Sequence, residues 1–442
     1  MTDANIAADE VVRLLVELIR IDTRNGGMQG EAKERPAAEW AAELLTDVGL
    51  APRILESRPG RANLIVDIPG ENHDLPVLLL HGHLDTVAAN NSDWTVDPVG
   101  GEIKSDGIAE CVWGRGAVDM KDMVAMTLAA IRAVIRRGKR PKRDVRVILF
   151  ADEEAGGFAG SEWIGAHHPE WFDRVGYIIS ETGGFSSYVN GKRVYYVQVG
   201  EKGTQWFKIA AQGTQSHGSQ INYDNAVVKV ARAATRVAEY QWPVELNPVT
   251  KLLLERLGKI AAINIQEPGG VERIVDATGF ARPWIASTIR NTYNVSSLDA
   301  GSSVNIVPAT AEGLIDGRAL PGQEDHVLET LRSLVGKDAQ LEAIHRSTGY
   351  LSDPNGDLFD YVEHLIADLD PEAAVVPFLS SGGTDSKAIL KVVPDAQVLG
   401  FIPLRIPEGF NYIANFHGVD ERVPLESVRF GETVLERLIV GL

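Results

Sequence analysis

Residues 62–68 (ANLIVDI), 76–80 (PVLLL), 144–150 (DVRVILF) and 175–180 (VGYIIS) are short runs rich in Val, Ile and Leu, the pattern of buried strands. Between the second and third, residues 123–139 (MVAMTLAAIRAVIRRGK) repeat their apolar positions at helical period and close on a basic turn that suits the helix dipole. Strands that alternate with helices predict an α/β unit with a doubly wound, mostly parallel sheet covered on both faces. At the start of the chain, Val11, Val12, Leu14, Leu15, Leu18 and Ile19 recur at helical spacing behind polar and acidic residues. With no basic leader, continuous apolar core or small-residue cleavage site, this stretch predicts a surface-packed helix and no signal peptide.

From about Glu201 the pattern changes. EKGTQWFKIAAQG alternates like a strand with one wet face, residues 225–240 predict a helix, and a long polar stretch bearing Pro and Gly runs to about 303. Another strand (ATAEGLIDGRAL) and a helix over 326–336 follow, and from about 350 the apolar α/β pattern returns, ending in a helix over about 424–440. This predicts a discontinuous first domain, 1–200 and 350–442, interrupted by a compact α+β unit over 201–349. No internal repeat or low-complexity tract is evident.

Length agrees, since 442 residues exceed the usual size of one core. A composition of 44% hydrophobic and 24% charged residues is that of an ordinary globular enzyme and argues against disorder. The formal charge of −18 argues against nucleic acid or an anionic membrane as a partner. Cys111 is the only cysteine, so no internal disulfide or cysteine-built zinc site can form, and a reducing compartment fits. No apolar run approaches the ~20 residues of a membrane span, and a cytoplasmic protein is the expectation.

The chemistry lies where the strands end. After PVLLL come His83 and Asp85; after the loop WGRGAV comes Asp119; after DVRVILF come Glu153 and Glu154; after VGYIIS comes Glu181. Ligands of open parallel sheets bind beyond the carboxyl ends of the strands, so these groups converge on one rim. Ionised carboxylates gathered there repel one another unless cations lie between them. Imidazole and carboxylate without thiolate suit zinc, manganese or cobalt, and several carboxylates suggest two ions. His417, in FHGVDERV before the last helix, is a candidate second imidazole ligand.

The strings GHLDTV, WGRGAVDMKD, ADEEAGG, SETGG and FHGVDERV, in this order and spacing, resemble the M20 metallopeptidases, the group of aminoacylase-1, carboxypeptidase S, glutamate carboxypeptidase and succinyl-diaminopimelate desuccinylase. The resemblance runs through nearly the whole chain. It implies that His83, Asp119 and Glu181 hold one metal, that Asp119, Glu154 and His417 hold the other with Asp119 bridging, and that the ions are zinc, with cobalt or manganese as alternatives. It further implies that Asp85 accepts the ring N–H of His83 and that Glu153 is the general base, taking a proton from the attacking water and passing it to the leaving nitrogen.

The inserted unit then corresponds to a ferredoxin-like lid or dimerisation domain. GTQSHGSQ would supply His217 to polarise the scissile carbonyl, SVNIVP would supply Asn305, and LIDGRALPG would supply Arg318 as a fork for a substrate carboxylate. SSGGTDS, with Gly382 and Gly383, resembles a backbone loop lining that pocket. In several relatives the lid histidine reaches a partner subunit, so a homodimer is implied. The expected activity is hydrolysis of a peptide or N-acyl amide beside a free carboxylate. The alternatives are N-succinyl-diaminopimelate desuccinylase and, outside catalysis, a binding homologue that keeps the fold.

Blander expectations accompany these. Arg318 could pair with Asp316, and GTQSHGSQ could be a surface turn. His81 is read as hydrogen-bonding locally, His167 and His168 as surface residues, Cys111 as inert, and Met120 and Met123 as core packing. Asp122 stands where the family usually has glycine, at an expected helix start where an acid is favourable. The stretch 243–303 looks closer to the carboxypeptidase S and aminoacylase branch.

Overall fold

In the computed structural model, which describes residues 9–27, 30–31 and 33–442, the four apolar runs form the strands Arg61–Ile68, Val77–His83, Val145–Phe150 and Val175–Ser180. They belong to a ten-stranded sheet. Its centre is parallel: Val145–Phe150 pairs with Val77–His83, which pairs with Val175–Ser180, which pairs with Gln397–Gly400. Arg61–Ile68 joins Val145–Phe150 antiparallel, with Arg53–Arg58 beyond it, so the sheet is mixed and largely parallel.

Side chains along these strands alternate between two hydrophobic clusters. Leu78, Leu80, Val147 and Leu149 enter one; Val77, Leu79, Ile148 and Phe150 enter the other. The first cluster is closed by the helices Glu10–Arg20, Lys121–Arg136 and Leu425–Gly441, the second by shorter helices that contribute Ile164 and Ile389. Burial on both faces is why these strands read as continuous apolar runs. The first eight residues of the N-terminal stretch lie outside the described residues, and the periodic residues after them form the helix Glu10–Arg20. Among the described residues no helix is long and apolar enough to cross a membrane.

A second, antiparallel sheet has the order Thr292–Asp299, Thr310–Ala319, Gly203–Gln212, Gln340–Arg346. In chain order its strands and the helices Ala226–Glu239 and Glu324–Val335 run βαββαβ, the split arrangement of ferredoxin-like units. Its own cluster includes Phe207, Ile209, Val230, Ile315 and Leu331.

The stretch 248–288 differs from the polar connection expected there. It holds the helices Pro248–Ala261, Gly270–Asp276 and Arg282–Thr288. The first begins with a capping box, in which Asn247 Oδ1 accepts the Thr250 N–H at 2.9 Å and Thr250 Oγ1 accepts the Asn247 N–H at 3.0 Å, and Pro248 occupies the first helical position. Leu253, Leu254 and Leu257 of that helix enter the large core, so this part of 201–349 packs with the main sheet and not with the second one.

A three-stranded sheet ties distant segments together. Arg422–Pro424 pairs with Glu110–Trp113, which pairs with Glu102–Ser105, and this brings the loop of His417 beside the loop that leads to Asp119.

Candidate metal centre

Three adjacent parallel strands deliver their residues to one rim. His83, the last residue of Val77–His83, is fully buried. Its Nδ1 lies 2.9 Å from the backbone carbonyl of Asp85. A carbonyl only accepts, so Nδ1 carries a proton, and Nε2, which faces Asp119 and Glu181, is the nitrogen a metal would take. Asp85 meets this ring nitrogen with two groups, its main-chain carbonyl at 2.9 Å and its carboxylate Oδ1 at 3.5 Å. The carboxylate is occupied by other donors, namely Asn25 Nδ2 at 2.8 Å and the backbone N–H groups of Glu153 and Glu154, each at 3.1 Å. Asp85 thus fixes the turn that carries both glutamates.

Asp119 stands between two imidazoles. Its Oδ1 is 3.2 Å from His83 Nε2, and its Oδ2 is 3.2 Å from His417 Nε2. Glu181 Oε2 lies 3.3 Å from His83 Nε2, and Glu154 Oε2 lies 3.3 Å from His417 Nε2. Two histidine–carboxylate groups are therefore joined through one aspartate. Ligand atoms of His83, Asp119 and Glu154 fall within 4.8 Å of one another, as do those of His83, Glu153 and Glu181.

The protonation pattern follows from this crowding. Burial and then the charge of Glu181 push the Glu153 carboxyl well above the usual range. Burial lifts Glu181 to about 7 against the opposing pull of His83. Burial and the charge of Asp119 raise Glu154. Hydrogen bonds to Asp119 and Glu154 raise His417 to about 10. Burial would lower His83, but Glu181 and Asp119 overcome it and hold the ring well above its usual value. Without a cation, then, protons occupy the places a cation would take. Glu181 Oε1 is buried with no hydrogen-bond partner among the described residues, while Oε2 of the same carboxylate faces His83. Nitrogen and carboxylate donors without thiolate fit zinc, cobalt or manganese.

Several supporting residues lie outside the set expected from the sequence. The carboxylate of Glu421 accepts the N–H groups of Gly116 at 3.0 Å, Val118 at 2.7 Å and Asp119 at 3.2 Å, and pairs with Arg115 at 2.8 Å. It shapes the loop that presents Asp119. Arg61, fully buried, pairs with Glu34 and lies 3.3 Å from Asp152, while its Nη2 donates to Asn25 at 2.9 Å. That network backs Asp85. Glu421 lies within FHGVDERV and could have been flagged there; Arg61 and Glu34 look like ordinary surface charges in sequence.

The remaining expected site residues divide into two groups. Glu153, Glu154, Asp119, Glu181 and His417 line a cavity of about 860 Å³, together with Arg318, Gly382 and Gly383. Arg318 does pair with Asp316, at 2.9 Å through Nε, yet still borders the cavity. His217 and Asn305 are not among the lining residues. They sit together on a two-stranded ribbon, where Ser216 and His217 pair with Val307 and Ile306 and the Gly218 N–H donates to the Asn305 carbonyl at 2.8 Å. His217 is exposed and its Nδ1 lies 2.8 Å from Ser219 Oγ.

His81 makes a hydrogen bond, but not a local one: Nε2 lies 3.2 Å from Ser386 Oγ, and burial lowers the ring to about 3. Cys111 is buried and its thiol pushed up to about 12. Asp122 is in the first turn of its helix, as expected, but is fully buried.

Comparison with known proteins places these observations. The description of peptidase family M20/M25/M40 matches residues 79–440. Human N-fatty-acyl-amino acid synthase/hydrolase PM20D1 is 26% identical over 376 residues, covering 81% of this chain and 73% of that one. Aminoacylase-1 of Sus scrofa is 26% identical over 311 residues, covering 70% of this chain and 65% of that one. Among solved structures, the M20 family metallo-carboxypeptidase Sso-CP2 of Sulfolobus solfataricus superposes with a TM-score of 0.74 at 18% identity, covering 98% of each chain.

Proposed function

The chain belongs to peptidase family M20/M25/M40 and is a hydrolase of amide bonds, and from that premise we propose that it cleaves a peptide or N-acyl amino acid next to a free carboxylate, using two divalent ions. The observation that carries this reading is the placement of Asp119, whose two oxygens each lie 3.2 Å from a different imidazole. His83, Asp119 and Glu181 would hold one ion, and Asp119, Glu154 and His417 the other, with zinc the proposed metal. Bound there, the ions would polarise the scissile carbonyl and lower the proton affinity of the attacking water.

The protein's own part is proton handling and orientation. Glu153 lies in the cavity, where burial and the charge of Glu181 raise its carboxyl's affinity for a proton; with cations bound and the carboxylate free, it would take a proton from the attacking water and return it to the leaving nitrogen. Asp85 keeps Glu153 and Glu154 on opposite duties by fixing both of their N–H groups. Arg318, with the backbone of Gly382 and Gly383, would receive the substrate carboxylate.

His217 and Asn305 would complete the oxyanion side from a second copy, the βαββαβ unit acting as lid and dimer contact. Their position outside the cavity supports action across a dimer, as do the exposed apolar residues around the ribbon: Tyr223 is 94% exposed and Ile221 78%. The names of the relatives favour acyl amino acid and peptide substrates, and the desuccinylase alternative gains no comparable support from them.

The decisive experiment is hydrolysis of N-acyl amino acids and dipeptides by protein reconstituted with zinc, cobalt or manganese, alongside Glu153→Ala. The variant is expected to bind both ions and to lose about 10²–10⁴-fold in kcat. Normal turnover by the variant would refute the base assignment.

A further inference from the structure

Trp284, in the helix Arg282–Thr288, has no role in the chemistry above, yet it is only partly buried and borders the same cavity. Its ring stacks on Phe378 with centroids 5.7 Å apart and planes 12° from parallel, and lies 5.0 Å from Phe416. Phe378 and Phe416 also line the cavity.

The position of this aromatic wall is specific. At one end Phe416 is bonded directly to His417. At the other, Ser287, one helical turn beyond Trp284, shares a 3.0 Å hydrogen bond with Ser381, the neighbour of Gly382. A Cβ built on Gly383 would stand 3.9 Å from Arg318 Nη1 and 3.4 Å from Lys387 Nζ, so the glycine loop meets the cationic end of the cavity. The wall therefore bridges the metal centre and the Arg318 end.

We propose that Trp284, Phe378 and Phe416 form a subsite for the side chain of the substrate's carboxylate-bearing residue, and that it selects an aromatic or large aliphatic side chain such as that of phenylalanine, tryptophan or leucine. The inference rests on the reading given above, with the scissile carbonyl at the His83–His417 cluster and the carboxylate at Arg318. A single tetrahedral carbon separates the scissile nitrogen from that carboxylate, so the group it carries meets the surface joining the two anchors. An aromatic substituent buries its faces against Trp284 in offset or edge contact. An anionic one would lose its hydration against three rings that offer it no partner. Trp284 comes from the stretch 248–288, which packs with the main core, so the wall is rigidly attached to the metal-bearing sheet.

The test compares N-acetyl amino acids that differ only in the C-terminal residue, with binding of free L-phenylalanine and L-alanine to the zinc-loaded protein measured by calorimetry. In the wild type kcat/KM for N-acetyl-phenylalanine should exceed that for N-acetyl-alanine by about tenfold or more, mainly through KM. Trp284→Ala should bring the ratio to within about threefold, and Trp284→Phe should keep most of it. A wild-type ratio near one overturns the proposal, as does selectivity that follows only the acyl group. Equal losses on both substrates in Trp284→Ala mark a structural role and also overturn it. If no amide is cleaved but L-phenylalanine still binds about tenfold tighter than L-alanine, in a manner dependent on Trp284, the subsite stands and the hydrolase reading falls. Cleavage without residue preference gives the reverse.

Discussion

His83 and His217 are both expected to serve the reaction, yet they occupy opposite settings. His83 ends a buried strand, has its tautomer fixed by a main-chain carbonyl and faces two carboxylates. His217 is exposed on a two-stranded ribbon, with Ser219 as its nearby partner. One already stands among its proposed co-ligands within a single chain; the other is presented to solvent, away from the cavity that the proposed function asks it to serve. Under the proposed function this difference is a division of labour, in which the main sheet pre-organises the charges and the βαββαβ unit would bring its histidine to the site of a second copy.

The largest effect should come from the His83 side. Asp119→Asn removes the charge shared by the two histidine–carboxylate groups, and both ions should be lost, with hydrolysis falling to background. Metal analysis by plasma spectrometry checks this, and retention of both ions would break the proposed bridging role.

On the presented side, His217→Ala should cost about 10²–10³-fold in kcat while leaving ion content intact. Mixing His217→Ala with Glu153→Ala sharpens the contrast. If His217 acts across a dimer, mixed dimers contain one intact site, and activity should reappear after subunit exchange. If the mixture stays inactive while the two variants demonstrably form mixed dimers, His217 serves its own chain.

The smallest effect concerns pH. In the metal-free protein Glu181 is raised to about 7 and His417 to about 10, so between pH 5 and 8 these two groups hold more protons in the folded state than in the unfolded one. Their contribution to metal-free stability falls with rising pH, on the order of 1–3 kcal/mol across the window after allowance for coupling and for the partial exposure of His417. Ions displace those protons, so their stabilisation grows in the same direction. The gap in melting temperature between zinc-loaded and metal-free protein should widen from pH 5 to 8. A constant or narrowing gap would count against the proton-for-cation exchange.

The legible parts of this protein are those in which local pattern and distant chemistry coincide. A buried parallel strand must be apolar on both faces, so His83, Glu153 and Glu181 stand out as polar residues just where such runs stop. The helices within 248–288 were obscured because Pro248 and the Gly269–Gly270 pair punctuate them, although the capping box at Asn247 and Thr250 was there to be read. The Arg61–Glu34–Asp152 network was invisible for another reason. Charged residues are ordinarily at the surface, and only the fold reveals that these three are buried together behind Asp85. The partner of His81, Ser386, is likewise 305 residues away and lies beyond any local rule.

Glu421 has one further consequence, for the order of events during synthesis. The N–H groups of Gly116, Val118 and Asp119 wait for a carboxylate made some three hundred residues later, and His417 arrives in the same late segment. The central strand Gln397–Gly400 and the core-closing helix Leu425–Gly441 are also late, so the main sheet and the proposed ligand set reach completion together, at the end of synthesis. A chain cut short before that segment would lack His417, the carboxylate that holds the Asp119 loop and the helix that closes the core.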